Sequence, residues 1–208
     1  MTEEEVPVVE PKEPSRAKLV GIIGVPGAGK STVAQALQVD MGSVDLLTSV
    51  CPEYAREWIH RVGPPEHVAF QQQILFKQKR REDTLSESCQ VLFCDSPLFH
   101  CYIYGMLIAN TDSLQEMKVV RNLYKWAVLD NLNRYDALIY LPKQFEIVDD
   151  GCRKPEFTEV IETTLLGFLD LHRPLFKNFV EVRSEETDPQ EILKDRVRQA
   201  KKHIRKVL

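Results

Sequence analysis

Short apolar runs alternate along this chain with longer segments in which apolar residues recur at helical spacing. The runs are rich in branched side chains and end at polar or turn residues, which predicts buried strands. They lie at residues 19–23, 44–50, 90–95, 137–141 and 179–182. The alternation of strands with helical segments indicates an α/β fold, in which a parallel sheet has helices on both faces. Ligands in such folds bind at the carboxyl ends of the strands.

The expected helices are bounded by residues that start or break them. Pro52 ends the second strand, so a helix is expected to start at Glu53, and Pro97 suits the first turn of a later helix. One further helix is expected directly after the first strand. The remaining helices are predicted from apolar residues at helical spacing. The helices are therefore expected at residues 33–37, from 53 onward, and at 66–86, 97–108, 114–132, 157–169 and 189–207.

The first 18 residues combine glutamates with prolines and contain few large apolar side chains. Such a segment cannot bury enough apolar surface to offset its chain entropy. We therefore expect a mobile acidic tail over residues 1–18 and a single domain over residues 19–208. The tail is also the segment through which a protein partner could bind.

Composition narrows the class of protein further. The chain has 208 residues, 43% hydrophobic content and a net charge of −4, which is typical of a soluble α/β enzyme and gives no reason to expect a nucleic-acid partner. Five scattered cysteines without a C-x-x-C pair predict reduced thiols and no cysteine metal site. With no apolar run long enough for a membrane and no signal-like start, we expect a cytoplasmic protein.

A phosphate-binding loop is the strongest chemical signal. Residues 24–31 read G-V-P-G-A-G-K-S, the Walker A pattern, and directly follow the first apolar run. Gly27 and Gly29 permit backbone conformations in which successive amides point at phosphate oxygens. Lys30 is then expected to reach the β- and γ-phosphates and Ser31 to bind Mg²⁺. The sequence thus predicts a three-layer P-loop NTPase fold that binds ATP through Gly24, Pro26, Gly27, Ala28, Gly29, Lys30, Ser31 and Thr32.

Asp95 stands at the end of a buried run, where a carboxylate is costly unless a cation faces it. The carboxyl end of this strand can lie beside the phosphate loop. Asp95 is therefore a candidate for holding Mg²⁺ or for accepting the proton of a phosphoryl-acceptor hydroxyl. The alternative is a cap on the helix that starts near Pro97.

Two further groups of charged residues are candidate substrate contacts. Glu53 and Arg56 are three residues apart and share a helix face, where they could grip a substrate or simply form a local ion pair. The segment 149–154 places Asp150, Arg153 and Lys154 around a glycine. It could be a closing loop that brings cations over the triphosphate, or a solvated turn.

Other polar residues have structural interpretations. His100 and His172 lie among apolar neighbours and are expected to be structural. The basic carboxyl end, which includes Arg196, could be a nucleic-acid stripe, but cations near a helix C-terminus also complement the helix dipole. The solvated-face interpretation fits the acidic chain better.

The chain resembles the ribosylnicotinamide kinase domain of NadR and the wider group of small NadR-like P-loop kinase domains. The resemblance spans most of residues 19–205. It rests on G-V-P-G-A-G-K-S at 24–31, P-E-Y-A-R at 52–56, the stretch 70–78, F-C-D-S at 93–96 and V-D-D-G-C-R at 148–153. It implies that Lys30 and Ser31 handle ATP phosphates and Mg²⁺, and that Asp95 is the base and metal partner. It also implies that Glu53 and Arg56 face the acceptor and that Arg153 belongs to a closing loop.

These observations lead to one main hypothesis and two alternatives. The main hypothesis is a Mg²⁺-ATP-dependent kinase that phosphorylates a hydroxyl of a small nucleoside-like acceptor, such as nicotinamide riboside, with Lys30, Asp95 and Arg153 as catalytic residues. The alternatives are an ATP-binding regulatory module that acts through a protein partner, and a polynucleotide end kinase. A GTPase is not expected, because the chain has no N-K-x-D motif.

Overall fold

A computed structural model describes residues 16–43, 46–144 and 155–208. Within these residues, five strands form a single parallel sheet in the order β2-β3-β1-β4-β5. The strands are β1 (Lys18–Ile23), β2 (Thr48–Cys51), β3 (Val91–Asp95), β4 (Ala137–Tyr140) and β5 (Phe179–Glu181). This arrangement confirms the predicted three-layer α/β fold.

Seven α-helices and three shorter helical segments accompany the described strands. The α-helices are α1 (Lys30–Met41), α2 (Tyr54–Val62), α3 (Ala69–Ser86), α4 (His100–Ile108), α5 (Leu114–Leu123), α6 (Pro155–His172) and α7 (Pro189–Ile204). A π-helical segment covers Tyr124–Leu129, and 3-10 turns cover Leu132–Arg134 and Arg173–Leu175. Helix α1 packs against α7, whereas α3 packs on β2 and β3 and also contacts α4 and α5.

The centre of the sheet is apolar on both faces because helices cover it from both sides. All five residues of β3 are buried, and five of the six residues of β1 are buried. Gly21 in β1 allows close packing here, since a Cβ at this position would stand 2.6 Å from Cγ of Pro97 and 2.7 Å from Cδ2 of Leu138. The strand that leads into the phosphate loop is therefore held rigidly by its neighbours.

Local capping explains where two of the helices begin. Ser113 precedes α5, and its hydroxyl accepts a hydrogen bond from the Glu116 amide. Asp188 precedes α7, accepts from the amides of Gln190 and Glu191, and is followed by Pro189 at the first helical position. Each cap satisfies amides that have no partner inside the helix.

Several element bounds differ from the sequence-based expectations. The second strand was expected at 44–50 but begins at Thr48, and residues 44–45 lie outside the described part of the chain. Pro97 is not in the first turn of a helix, because α4 begins at His100 after a short turn. The expected helix over 114–132 ends as an α-helix at Leu123 and continues with π-helical geometry.

The first strand begins slightly before residue 19, the expected start of the domain. Lys18 is the first residue of β1, and Arg16 pairs with Asp136 at 3.1 Å between Nη2 and Oδ2. Residues 1–15 lie outside the described residues, so the expectation of a mobile tail stays a prediction. Among the helices that the structure describes, none is long and apolar enough to span a membrane.

Candidate active site

The loop at residues 24–29 joins β1 to α1 and has the backbone that its glycines predict. Gly27 and Gly29 have φ values of 81° and 87°, in the left-handed region that side chains other than glycine rarely adopt. The carbonyl of Val25 accepts hydrogen bonds from the Ala28 amide at 3.1 Å and from Nζ of Lys30 at 3.2 Å. The loop therefore folds back on itself, and the ammonium group of Lys30 lies inside this turn.

Ser31, Asp95 and Arg56 meet at the end of the sheet. The hydroxyl of Ser31 donates to Oδ2 of Asp95 at 2.5 Å, and Nη1 of Arg56 donates to Oγ of Ser31 at 3.2 Å. Nη2 of Arg56 also pairs with Oε2 of Glu53 at 3.5 Å. Four residues that the sequence singled out, from α1, the end of β3 and the start of α2, thus form one connected group.

The Asp95 carboxylate has an oxygen that the protein does not satisfy. Oδ1 of Asp95 is buried and has no hydrogen-bond partner among the described residues. A buried carboxylate oxygen without a donor is costly, unless a ligand or a cation completes it. Oxygen atoms from Ser31 and Asp95 are the ligand type that Mg²⁺ prefers, so this pair fits the metal that a phosphate loop implies.

The turn after Asp95 is strained. Ser96 has a φ of 69°, the one positive value at a residue other than glycine in the described chain, and its buried hydroxyl has no partner there. Such a conformation costs roughly 1–3 kcal/mol and is retained where the surrounding structure imposes it. The amide of Ser96 donates to the Ile22 carbonyl at 3.3 Å, which ties the turn to β1 beside the phosphate loop.

A cavity of about 280 Å³ opens between α2, α3, α4 and α6, next to the phosphate loop. Lys30, Glu53 and Arg56 supply its charged groups. Asp95 and its hydrogen-bond partner Ser31 are not among the described residues that line the cavity. The remaining lining is mostly apolar and comprises Pro26, Ala55, Ile59, Pro64, Pro65, Gln71, Ile74, Tyr104, Ile108, Phe157 and Ile161.

Gln71 is a cavity residue that sequence reasoning missed. It is only 4% exposed, and its side-chain amide makes no hydrogen bond to another described residue. Ile74, Gln78 and Glu82 follow at helical spacing, and all four are buried. Polar residues that keep the spacing of a core-facing helix were the available signal for this site.

Two buried groups near the site are neutral at physiological pH. Burial and the charge of Lys30 lower the pKa of His100 to about 3, and Nδ1 of its ring lies 3.2 Å from the Pro97 carbonyl. Burial, reinforced by Glu53, raises the pKa of the Tyr104 phenol. His100 therefore supports the turn as an uncharged side chain, which agrees with its structural interpretation.

Arg196 is a second residue whose place the sequence did not reveal. It was grouped with the basic carboxyl end as part of a solvated helix face, and that was wrong, because Arg196 is only 1% exposed. Its Nη1 donates to the Ala28 carbonyl at 2.7 Å, and its Nη2 donates to the Pro142 carbonyl at 2.6 Å and to Oε1 of Gln144 at 2.7 Å. Arg196 therefore links helix α7 to the phosphate loop through the Ala28 carbonyl.

Two other basic residues of α7 form ion pairs on the surface. Lys201 pairs with Asp40 of α1, and Arg198 pairs with Asp195. The predicted loop residues Asp150, Arg153 and Lys154 lie outside the described residues. In the described part of the chain, no cluster of three or more acidic, histidine or cysteine side chains is arranged to hold a metal ion.

A protein-family model described as an AAA domain matches residues 19–185, which is most of the chain. The chain belongs to this family. The matched region includes the phosphate loop, Asp95 and the start of α2. A search of curated proteins gave no significant match.

Solved structures share the fold of this AAA-domain chain. A crystal structure of NadR in complex with NR is 19% identical with a TM-score of 0.70, covering 92% of this chain and 50% of NadR. A second NadR structure, with NAD and AMP-PNP, is 16% identical with a TM-score of 0.69, covering 92% and 49%. Deoxyadenosine kinase from M. mycoides with bound dATP is 17% identical with a TM-score of 0.60, covering 90% and 99%.

The chain spans about half the length of the NadR chains that it matches. Identities at this level show a common fold, and they confirm the NadR-like P-loop kinase fold expected from the sequence. The same fold is shared with a deoxynucleoside kinase over nearly the whole length of that protein. The substrate has to be argued from the residues of this chain.

Proposed function

We propose that this chain is a Mg²⁺-ATP-dependent kinase that transfers the γ-phosphoryl group of ATP to a hydroxyl of a small nucleoside-like acceptor, such as nicotinamide riboside. The observation that carries the proposal is that Lys30 belongs to the phosphate loop and also lines the adjoining cavity with Glu53 and Arg56. A phosphate donor in the loop and a small molecule in the cavity would thus meet at Lys30. Phosphoryl transfer depends mainly on such positioning.

The ATP side of the proposal rests on the phosphate loop. The left-handed glycines and the start of α1 direct backbone amides toward an anion. Lys30 exchanges its bond to the Val25 carbonyl for a phosphate oxygen when ATP binds. Ser31 and Asp95 are the residues that would hold Mg²⁺, which would supply positive charge against the phosphates of ATP. AMP-PNP in the NadR structure supports nucleotide binding in this fold.

The acceptor side rests on the character of the cavity. Its apolar walls suit a planar ring, and the side-chain amide of Gln71 offers a donor and an acceptor side by side. A nucleobase edge or a ring carboxamide has the complementary pair. The neighbours were solved with NR and dATP, and these names agree with a fold that binds nucleoside-like compounds.

Two carboxylates are candidates for receiving the proton of the acceptor hydroxyl. The sequence pointed to Asp95, but Glu53 lines the cavity and Asp95 is hydrogen-bonded to Ser31. We therefore assign the proton to Glu53 and the metal to Asp95. Arg56, which bridges Glu53 and Ser31, holds the acceptor beside the phosphates. Arg153, with Asp150 and Lys154, remains the predicted closing loop over the triphosphate.

The test is ATP consumption by the purified chain with Mg²⁺, alone and with a panel of nucleosides that includes nicotinamide riboside. Stimulation by one acceptor, lost in Lys30→Ala, is the expected result and names the substrate. Lys194→Ala is the matched control, since the partner of Lys194 among the described residues is Glu191, at the surface. ATP binding without stimulation by any acceptor would contradict the proposal and favour the regulatory module.

A further inference from the structure

Glu82 is a buried carboxylate outside the cavity. It lies in α3, is 0% exposed, and accepts hydrogen bonds from three side chains. These are Nε of Arg134 at 2.8 Å, the hydroxyl of Tyr135 at 3.2 Å and Nε2 of Gln78 at 3.4 Å. Burial raises the pKa of Glu82, and Arg134 opposes that rise. Buried ion pairs are weak evidence for stability, so the placement of this one calls for another explanation.

The hydrogen bonds of Glu82 form a network with two arms. The first arm runs through Gln78 to the start of α2, which we call the acceptor helix because it carries Arg56. Oε1 of Gln78 accepts a hydrogen bond from the amide of Tyr54, the first residue of α2, at 2.8 Å. That amide has no partner within its own helix. Glu53 occupies the capping position but makes no side-chain cap. Because Gln78 caps α2 from another helix, the Glu53 carboxylate is free to pair with Arg56 and to line the cavity.

The second arm ends at the turn that follows Asp95. The hydroxyl of Tyr135 donates to Glu82 and accepts from the amide of Leu98 at 2.8 Å. Leu98 stands three residues after Asp95, beyond the strained Ser96. This bond fixes the far end of the turn, whose near end is tied to β1 by the Ser96 amide.

We propose that Glu82 is a positioning residue that couples the acceptor helix to the Asp95 turn. Its carboxylate orients Gln78 on one side and Tyr135 on the other, so that the start of α2 and residues 95–98 hold a fixed relative position. The kinetic consequences rest on the proposed kinase function. The structural coupling does not, and it is tested separately.

Glu82→Gln would leave Arg134 without its buried partner and could unfold the chain. The test therefore changes Gln78 and Tyr135, one residue from each arm. Gln78→Met removes the cap of α2, and Tyr135→Phe removes one hydroxyl. Because the two sites are coupled, we expect each variant to raise KM for the acceptor at least fivefold and also to lower kcat at least fivefold. A merely structural network would lower thermal stability and leave both constants of the folded enzyme unchanged, which would overturn the proposal.

Hydrogen exchange of the chain without substrates tests the coupling itself. Tyr135→Phe is expected to raise amide exchange at least fivefold in the first turn of α2 as well as at Leu98 and Phe99, and Gln78→Met is expected to do the same. Tyr124→Phe is the matched control, because it removes a tyrosine hydroxyl bonded to His172 at 3.1 Å, and neither residue takes part in the hydrogen bonds of Glu82, Gln78 and Tyr135 described above. Exchange that increases only beside each substitution would refute the coupling. If no acceptor is phosphorylated, the kinase proposal fails. The coupling proposal is then decided by hydrogen exchange alone.

Discussion

The hydroxyl of Ser31 donates a hydrogen bond of 2.5 Å to the carboxylate of Asp95. This bond joins the first turn of α1 to the end of β3, and it leaves the buried Oδ1 of Asp95 without a partner among the described residues. The pair therefore presents two oxygens of different kinds at one point beside the phosphate loop. We interpret this pair as the Mg²⁺ site.

The first prediction concerns this metal pair. Asp95→Asn removes the charge but keeps the shape, and we expect turnover to fall about 10²-fold or more, because the metal supplies several kcal/mol of charge stabilisation. Ser31→Ala should raise the Mg²⁺ concentration needed for half-maximal rate. A magnesium titration of both variants, with circular dichroism as the folding control, checks this. An unchanged magnesium requirement in both variants would contradict the assignment.

The second prediction concerns Lys30. Its ammonium group now bonds the Val25 carbonyl and is buried beside the cavity. Lys30→Met keeps the aliphatic part of the side chain, so the fold should be preserved. Turnover should fall about 10²–10³-fold, because removal of a group that stabilises charge in the transition state typically costs that much. Comparison of kcat and of ATP affinity by calorimetry separates catalysis from binding. Near-normal turnover in this variant would exclude the phosphate loop as the catalytic centre.

The third prediction separates the roles of Arg56 and Glu53. A charge-assisted hydrogen bond is worth about 1.5–3 kcal/mol, so Arg56→Met should raise KM for the acceptor about 10- to 100-fold. Glu53→Gln should instead lower kcat and remove the acidic limb of the pH–rate profile. If that limb persists in Glu53→Gln but is lost in Asp95→Asn, Asp95 is the base.

Much of this arrangement could be predicted from the sequence, because local chemistry determined it. The phosphate loop carries its own glycines, and Asp95 stands out at the end of an apolar run. The spacing of Glu53 and Arg56 places them on one helix face, and the structure adds that the pair reaches Ser31. Each of these signals lies within a few residues along the chain.

The parts that could not be predicted depend on packing between distant segments. Gln71 keeps the spacing of the buried face of α3, but only the fold shows that it lines a cavity. Arg196 stands among basic residues on α7, yet it reaches the Ala28 carbonyl. The link from Glu82 to Leu98 joins α3 to a turn after β3 through Tyr135. No local spacing rule contains such contacts.

The fourth prediction is a pH dependence of stability that arises from His100. Its pKa is about 3 in the folded chain and near 6.5 when unfolded. The unfolded state therefore binds the extra proton between these values, so stability is lost as pH falls from about 6.5 toward 3, by up to about 1.4 kcal/mol per pH unit. Urea unfolding of the wild type and of His100→Asn from pH 4 to 7 isolates this effect. The free energies of unfolding of the two proteins should converge at low pH. A difference that stays constant with pH would rule out the contribution of His100.

The fifth prediction uses two helical glycines with opposite surroundings. In α4, a Cβ at Gly105 would stand 2.6 Å from Cδ1 of the fully buried Leu123. In α6, a Cβ at Gly167 would have nothing within 4 Å. Alanine favours a helix interior by about 0.8–1 kcal/mol over glycine. Gly167→Ala should therefore stabilise the chain by about that amount.

At Gly105 the clash of an added Cβ with Leu123 outweighs the preference of a helix for alanine over glycine. Overpacking a filled core typically costs about 1–3 kcal/mol, and Leu123 cannot turn away without disturbing its neighbours. Gly105→Ala should thus be net destabilising by about 1–2 kcal/mol. Denaturant unfolding of both variants measures the two changes in one experiment. Because both substitutions add the same methyl group to the same kind of element, opposite signs can only come from the packing. Equal signs would show that α4 can shift away from α5 at this contact.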